Sequence, residues 1–443
     1  LGKGGHHPNS LLRNNGDGTF EDVAEQAGIL SFHPTQTATW FDFDGDGWLD
    51  VFIGNESTTG EIHPCELYRN NGNGTFRECA AEFGVALTKF VKGVNSGDYD
   101  NDGRPDLYVS SRNGPNVLFH NDGPAPGHSR ERPQWKFSDV TAKAGVAEPM
   151  SSFPCWFFDY DNDGKLDIFV TGYSANVAKI AADYLGLPHD GDRVRLYHNN
   201  GDGTFADVTK SVGLYKVMLA MGCNFGDFDN DGWLDFYVGT GDPDFATLIP
   251  NRAFRNNGGK AFQEVTTAGG FGHLQKGHGI AFADLDNNGS QDIYAVMGGA
   301  YTGDNYRNAL FVNPGNSNRW LTLKLEGVRS NRAAIGARIR VIVQTESGPR
   351  SIYKTVCSGG SFGASPLRQE FGLGQARAIQ SVEIFWPVTG ETQTITGLGM
   401  DRMYRIREGE PHAEPWTLKR FQLASKVAPA AHKAHQHSAP PAR

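Results

Sequence analysis

Short apolar runs, not long amphipathic ones, set the rhythm of this chain. Five of them, "LDVFIG" (49–54), "PDLYVS" (105–110), "LDIFVT" (166–171), "LDFYVG" (234–239) and "QDIYAV" (291–296), are β-branched and aromatic over strand lengths. Such runs mark buried strands. A second signature recurs as "LLRNNGDGTFEDVA" (11–24), "LYRNNGNGTFRECA" (67–80), "LYHNNGDGTFADVT" (196–209) and "AFRNNGGKAFQEVT" (253–266). Asn-Gly and Asp-Gly between apolar alternating runs predict hairpins, because these residues accept positive φ. Each unit therefore predicts four strands: an apolar inner strand, a loop, a second strand, and a hairpin supplying the third and fourth.

Counted from Asp42, Asp98, Asp159, Asp227 and Asp284, the units recur every 56 to 68 residues, the regime of repeat architectures. Four antiparallel strands at this period predict an all-β fold, a β-propeller of four-stranded blades. The expected domain spans 1–315, with five full blades and an N-terminal half blade. "PNSLLRNNGDGTFEDV" (8–23) supplies the third and fourth strands of that half blade without its first two. Upstream truncation and completion by the C-terminal region both account for this, and truncation is the favoured expectation. "NVAKIAADYLG" (176–186) predicts a short inserted helix on a propeller face, where insertions often line binding surfaces.

From 316 the rhythm changes. "RWLTLKLEG", "GARIRVIVQ", "RSIYKTVCS", "SVEIFWP" and "YRIRE" alternate apolar and polar residues, which predicts a small β-domain over 316–410. The remainder, 411–443, ends in the Ala-, Pro- and His-rich "ASKVAPAAHKAHQHSAPPAR". Without periodicity it reads as a disordered extension, its histidines solvated.

The loop "DFDGDGWLD" (42–50) packs four carboxylates into nine residues. Repulsion would hold it open unless a cation closes it. Carboxylates at positions 1, 3, 5 and 9 and a backbone carbonyl at position 7 suit Ca2+, which takes roughly 6 to 8 oxygen ligands. Glycine at position 6 permits the sharp turn. The first candidate set is Asp42, Asp44, Asp46, Trp48 and Asp50. The second is Asp98, Asp100, Asp102, Arg104 and Asp106, and the third is Asp159, Asp161, Asp163, Lys165 and Asp167. The fourth is Asp227, Asp229, Asp231, Trp233 and Asp235, and the fifth is Asp284, Asp286, Asn288, Ser290 and Asp292. Trp48, Arg104, Lys165, Trp233 and Ser290 would ligate only through the backbone. Asn288 keeps an oxygen but loses a charge, so the fifth site is expected to be weakest. These are not EF-hands: position 12 is Ile53, Val109, Val170, Val238 or Ala295, where a bidentate Glu is needed. About five Ca2+ are expected, one per loop.

The formal charge of −9 argues against nucleic acid as a partner, which wants a basic stripe. Five divalent cations would more than offset it, so the acidity belongs to the loops. No apolar run approaches the roughly 18 residues that span a bilayer. The five cysteines, Cys65, Cys79, Cys155, Cys223 and Cys357, have no zinc-ligand spacing. Cys65 and Cys79 flank a predicted hairpin, and a disulfide between them is the expectation. Calcium loops of extracellular affinity fill only at roughly 0.1–1 mM Ca2+, which favours an exported protein, whether extracellular, at the cell surface or periplasmic.

Other chemistry is sparser. In "GHLQKGHGIAFADLD" His273, Lys276 and His278 stand close together, with His278 a candidate base and Lys276 a candidate partner for a uronate. The plainer reading is that His278 packs at the end of its blade. In "TVCSGGSFGAS" Cys357 is a candidate nucleophile, more often a small buried residue. The turn with Ser358 and Ser361 is a candidate anion cradle, or simply a tight turn. Trp40, Trp48, Trp156 and Trp233 recur near the loops, as sugar platforms or, more commonly, packing residues.

The Asp-x-Asp-x-Asp-Gly-x-x-Asp unit followed by Asn-Asn-Gly-Asp-Gly-Thr-Phe resembles the FG-GAP/VCBS repeats of integrin-like propellers. "SNRAAIGARIRV" (330–341), "SGGSFGASPLRQEFGLG" (358–374) and "WPVTG" (386–390) resemble the ASPIC/UnbV domain of the cartilage acidic protein family and its bacterial members. The resemblance covers about 10–410. It implies a non-catalytic, calcium-binding, secreted or surface propeller of adhesive or recognition type, often seven-bladed, with a protein or glycan partner at a propeller face. It also implies a calcium-loop unit ahead of the first "LLRNNGDGTF". The alternative is an enzyme acting on polysaccharide, a lyase or hydrolase using a propeller face.

Overall fold

The computed structural model describes residues 7–125, 134–242, 247, 249–299 and 306–423. The apolar runs become second strands, buried along their whole length in blades one to four and with Tyr294 and Val296 exposed in blade five, and every unit folds by antiparallel pairing of neighbours. Blade one contains Thr35–Phe41, Asp50–Asn55, Glu66–Asn70 and Phe76–Glu78. Blade two contains Val91–Gly97, Asp106–Ser111, Val117–Pro124 and Trp135–Asp139. Blade three contains Ser152–Phe158, Asp167–Gly172, Arg195–Asn199 and Phe205–Asp207. Blade four contains Ala220–Gly226, Asp235–Thr240, Arg252–Asn256 and Phe262–Glu264. The inner strands of successive blades pack on one another in order, which is the propeller arrangement.

Aromatic wedges fill the spaces between blades. Trp156 is fully buried and stacks on Phe169 at 4.2 Å, with Phe225 on a neighbouring strand at 6.0 Å. Inner strands converge so closely that side chains are excluded. A Cβ on Gly222 would lie 1.4 Å from the His278 carbonyl of the next inner strand.

The expectation of five full blades needs correction. Among the described residues, blade five has three strands of its own, Gly277–Ala283, Asp292–Met297 and Ala309–Phe311. The Asn-Gly hairpin is replaced after Phe311 by Asn313-Pro314-Gly315-Asn316, and the chain leaves for the next domain instead of returning. Its sheet is completed from the other edge by Gly363–Ala364, which pairs in parallel with the inner strand. The N-terminal segment forms a two-stranded sheet, Leu12–Asn14 with Phe20–Asp22. Ala24, Ala27 and Ile29 anchor it against Val51, Ile53 and Tyr68 of blade one.

The C-terminal domain is a sandwich of two four-stranded sheets. One orders Gln369–Gly374, Arg319–Glu326, Arg402–Arg407 and Glu414–Pro415; the other orders Gly348–Thr355, Arg338–Thr345, Ala378–Phe385 and Thr392–Ile395. Both line one core with Leu321, Leu323, Val341, Val382, Ile384 and Trp386. The expected extension from 411 contributes the edge strand Glu414–Pro415, and residues 424–443 lie outside the described residues. The predicted insertion is helical over Val177–Tyr184, capped by the Asn176 side chain. Among the described residues no helix is long and apolar enough to cross a membrane.

The disulfide expectation fails: all five cysteines are free. The hairpin register pairs Tyr68 with Glu78, which puts Cys79 opposite Leu67. Cys65 is then two residues out of step, about 7 Å along the strand.

Candidate metal loops and the face they build

Each Asp-rich loop joins the inner strand of a blade to its second strand, so all five project from the same end of the propeller. Their backbone is set by two left-handed positions. Position 4 is Gly45, Asn101, Asn162, Asn230 or Asn287, at φ between 56° and 68°, and the position 6 glycines lie between 84° and 96°. Asn tolerates this region among non-glycine residues.

The carboxylates are shared out identically. The position 1 Asp accepts the N–H groups of positions 5 and 6, as Asp42 does from Asp46 at 3.1 Å and Gly47 at 2.9 Å. Asp98, Asp159, Asp227 and Asp284 repeat this. Position 5 accepts the N–H of position 7: Asp46 from Trp48, Asp102 from Arg104, Asp163 from Lys165, Asp231 from Trp233 and Asn288 from Ser290. The position 9 Asp accepts the position 2 N–H on one oxygen and, on the other, an Asn N–H of the third strand; for Asp50 these are Phe43 at 3.1 Å and Asn70 at 2.7 Å. Asp106, Asp167, Asp235 and Asp292 do the same. Position 3, occupied by Asp44, Asp100, Asp161, Asp229 and Asp286, has no such partner common to all five loops. Asp44 is almost entirely buried, and its Oδ1, like that of Asp161, has no hydrogen-bond partner.

The acids at positions 1 and 9 in particular resist ionisation. Burial, with repulsion from Asp44 and Asp46 added, pushes Asp42 up to about 7. Burial pushes Asp50 to about 9 and Asp284 to about 6. It also raises Asp98 to about 6 although Arg338 pulls the other way, and lifts Asp106, Asp159, Asp227 and Asp235 well above the carboxylate range. These are oxygen clusters short of positive charge, which is the donor set of a hard divalent cation. Asp42, Asp44 and Asp50 already bring one oxygen each within 4.8 Å of one another, as do Asp98, Asp100 and Asp106, and Asp159, Asp161 and Asp163.

Two asparagine systems that the sequence reading treated only as turn formers tie the loops together. From blade two onward, the Asn at the start of the hairpin signature, or Asn313 in its place in blade five, donates to the position 8 carbonyl of its own loop and to the position 2 carbonyl of the preceding loop. Asn121 reaches Phe43 at 2.9 Å, Asn199 reaches Tyr99 at 2.7 Å, Asn256 reaches Tyr160 at 2.8 Å and Asn313 reaches Phe228 at 2.6 Å. In the other direction, Asn101, Asn162 and Asn230 donate to Gly164, Gly232 and Gly289, the position 6 carbonyl of the following loop. The signal was the invariance of that first Asn across the signatures, whereas the second is Asp122 in blade two.

The C-terminal sandwich sits on this loop face. Arg338 reaches Asp98 and Asn101, Tyr353 N–H donates to Asn162, Gly374 N–H to the Asn230 carbonyl, and Arg368 to Asn287. Lys419 and Phe421 bond the fifth loop at Asn287 and Asp286. The Gly-Ser turn goes further and plugs the axis between inner strands. Ser361 donates from its backbone N–H to Cys155 O at 3.1 Å, and its hydroxyl lies within bonding distance of Val94 O and Cys155 O. Gly360 N–H donates to the Asn224 carboxamide, Asn95 donates to Gly359 O, and Ile280 N–H donates to Phe362 O. Its polar groups are used on the protein itself, so the turn is a wedge and not an anion cradle. Burial raises the Cys357 thiol, the opposite of what a nucleophile needs.

The remaining candidates are also held locally. His278 Nε2 lies 3.0 Å from Gly298 O, and His273 accepts from Gln275 N–H and packs edge-on to Tyr306. Trp156 is buried and unavailable to a sugar, Trp40 packs on Phe76, and Trp48 is half exposed beside Gly72.

Comparison with known proteins agrees with this architecture. The FG-GAP-like repeat model matches residues 3–53, 42–109, 98–170 and 181–238, and the ASPIC and UnbV model matches 327–413. Cartilage acidic protein 1 of Mus musculus is 26% identical over 392 residues, 83% of this chain and 54% of that protein. Its Homo sapiens counterpart is 26% identical over 393 residues, 83% and 52%. The chain thus spans about half the length of these relatives. Among solved structures, the V. cholerae biofilm matrix protein Bap1 aligns with TM-score 0.38 and 8% identity over 83% of this chain and 60% of that one. The Dos1 propeller aligns with TM-score 0.31 and 10% identity over 82% and 70%. Both are too distant to bear on the site. On its repeats, its propeller and its C-terminal domain, the chain belongs to the FG-GAP-like repeat family and carries an ASPIC/UnbV domain, an architecture it shares with cartilage acidic protein 1.

Proposed function

We propose that the protein is a non-catalytic, calcium-stabilised recognition propeller of the extracytoplasmic space, which takes a protein or glycan partner on the face opposite its metal loops. The observation that carries this is the division of the two faces. The loop face is consumed by carboxylate clusters and by the sandwich docked on them. The opposite face is where inner strands begin and second strands end. It presents Phe32, Ile62, Val177, Tyr184, Leu187 and Tyr215, all more than two-fifths exposed. Apolar and aromatic side chains gathered on one face mark recognition surfaces.

Calcium would be held by the acids of each loop and by Asn288 in the fifth, with the position 7 carbonyl added. Its charge would stabilise the ionised carboxylates and fix the loop face on which the sandwich rests. The aromatic face then stays rigid without contributing chemistry of its own.

Two experiments test the reading. Titration of calcium into chelator-treated protein is expected to show about five sites, and no heat or stability change would remove the metal. Glycan-array and extracellular-protein binding by the calcium-loaded chain should weaken at least tenfold in Tyr184→Ser/Leu187→Ser. A partner whose affinity is untouched by these changes but lost on altering the sandwich would move the site to the other face.

A further inference from the structure

Blade one carries a pair of histidines that the other blades lack, on the face opposite the metal loops. His33 stands two residues before the inner strand Thr35–Phe41, and His63 three before the third strand Glu66–Asn70. The same places hold Lys89, Met150, Met218 and Gln275 for the first, and Gly114, Asp192, Ile249 and Tyr306 for the second. A blade therefore folds without either histidine. The structure nevertheless brings the two together: His33 Nδ1 lies 3.0 Å from His63 Nδ1, and the rings meet edge-on with centroids 5.1 Å apart.

The roots of the two loops are tied to one buried set of groups. Ser31 and Asn55 donate to Glu66 Oε2 at 2.8 and 2.9 Å, and Asn55 also donates to Pro64 O at 2.8 Å. Ser57 holds the His63 backbone in both directions, at 2.8 and 2.9 Å. At the tips the connection is different. Among the described residues no main-chain hydrogen bond joins 30–33 to 58–63, and the imidazole contact spans them. Phe32 and Ile62, the immediate neighbours of the pair, are 56% and 61% exposed. The contact thus sets how these two apolar side chains are presented.

An Nδ1···Nδ1 bond needs one nitrogen that carries hydrogen and one with a free lone pair. A single added proton preserves this, because the charged ring donates to the neutral one. A second leaves two N–H donors and two like charges face to face, and the contact must break. Nearby charged groups offer no substitute acceptor to Nδ1. Glu61 lies 3.9 Å from the other nitrogen of His63. Glu66 already accepts from Ser31, Asn55 and Tyr68. Glu56 pairs with Lys92, and Lys89 Nζ bonds Pro115 O.

We infer that His33 and His63 form a pH-operated latch on the recognition face. It is closed near neutrality and opens when both imidazoles are protonated, in the range of about pH 5–6 where histidine clusters charge. Opening parts the two loops and releases a partner held on Phe32 and Ile62. The inference rests on the reading of this face as the recognition surface and adds its regulation.

Amide exchange of the calcium-loaded full chain tests it, compared at about pH 7.5 and about pH 5, on either side of the imidazole range, and corrected for intrinsic rates. Protection of 30–34 and 57–64 in the wild type is expected to fall about tenfold or more at the acid pH, with the sandwich strand Ala378–Phe385 as the unchanged reference. His63→Asn places an amide oxygen, an acceptor that does not titrate, where Nδ1 was. Its protection should change less than about twofold, and His33→Asn is the second such variant should the first fail to fold. No loss in the wild type, or the same loss in wild type and variants, overturns the inference. The exchange readout needs no partner. A variant-sensitive pH response with no partner on this face would refute only the recognition reading, and a partner bound here without that response would refute only the latch.

Discussion

Asn224 is the most informative residue for the way the two domains are joined. It lies on the inner strand of blade four and is fully buried. Its carbonyl accepts Gly360 N–H at 3.1 Å, and its amide donates to Ala364 O at 2.7 Å and to Ser365 Oγ at 3.0 Å. Asn224→Ala strands the buried Gly360 N–H, which costs about 1–3 kcal/mol, and removes a bond to Ala364 O of about 1 kcal/mol. The expected loss is therefore ~2–4 kcal/mol, measured as the fall in unfolding free energy in urea with calcium present. Amide exchange in 358–365 should rise together with that loss, because the wedge would leave the axis before the blades unfold. A variant within about 0.5 kcal/mol of wild type and with unchanged exchange in the turn would refute the argument that this segment is locked between inner strands.

Further outcomes follow from the same geometry. Without metal, Asp42, raised to about 7, and Asp98 and Asp284, raised to about 6, hold protons that the unfolded chain releases near 4. Their contribution is complete below that value and is lost as pH rises through 6–7, so chelator-treated protein should melt higher at pH 5 than at pH 8, and a higher melting point at pH 8 would contradict the burial argument. Asn288→Asp should tighten calcium binding at the fifth loop, visible as a sharper first phase in calorimetric titration. Glu408 resists protonation despite its burial, because the N–H groups of Val328, Ser330 and Arg329 bond its carboxylate; Glu408→Gln should cost about 1–3 kcal/mol in urea unfolding. Thiol titration should find all five cysteines in unreduced, denatured protein, and at most Cys357 in the native state.

How much of this was legible in the sequence depends on whether a residue acts within its own repeat or across to another. The acids at positions 1, 3, 5 and 9 and the glycine at 6 act within one loop, so their spacing announces them. So do the strand lengths, because apolar runs such as "LDVFIG" are buried wherever their blade packs. The bridging asparagines act between blades: Asn121 reaches Phe43 from 78 residues away, and nothing in local spacing shows that distance. The Gly-Ser turn is the extreme case. Ser361 bonds Val94 across 267 residues, so a segment that resembles a ligand cradle in sequence is a wedge in the fold. The fifth blade was misread because its first two strands obey the repeat, while the missing hairpin is replaced from a separate domain. The Cys65–Cys79 pairing failed on register, which a two-residue offset decides and hairpin length alone does not.

The central claim is that the five carboxylate loops are structural calcium sites, and thermal unfolding in 2 mM CaCl2 against excess chelator tests it most directly (the weak-site range ends near 1 mM). At two- to twentyfold excess over a dissociation constant of roughly 0.1–1 mM, each filled site adds about 0.6–1.8 kcal/mol. Five such sites should raise the melting point by about 3–10 °C over the chelated state, an effect that magnesium at the same concentration should not reproduce. A melting point unchanged by chelation would contradict the account and leave the loops as acidic turns held by their own N–H groups.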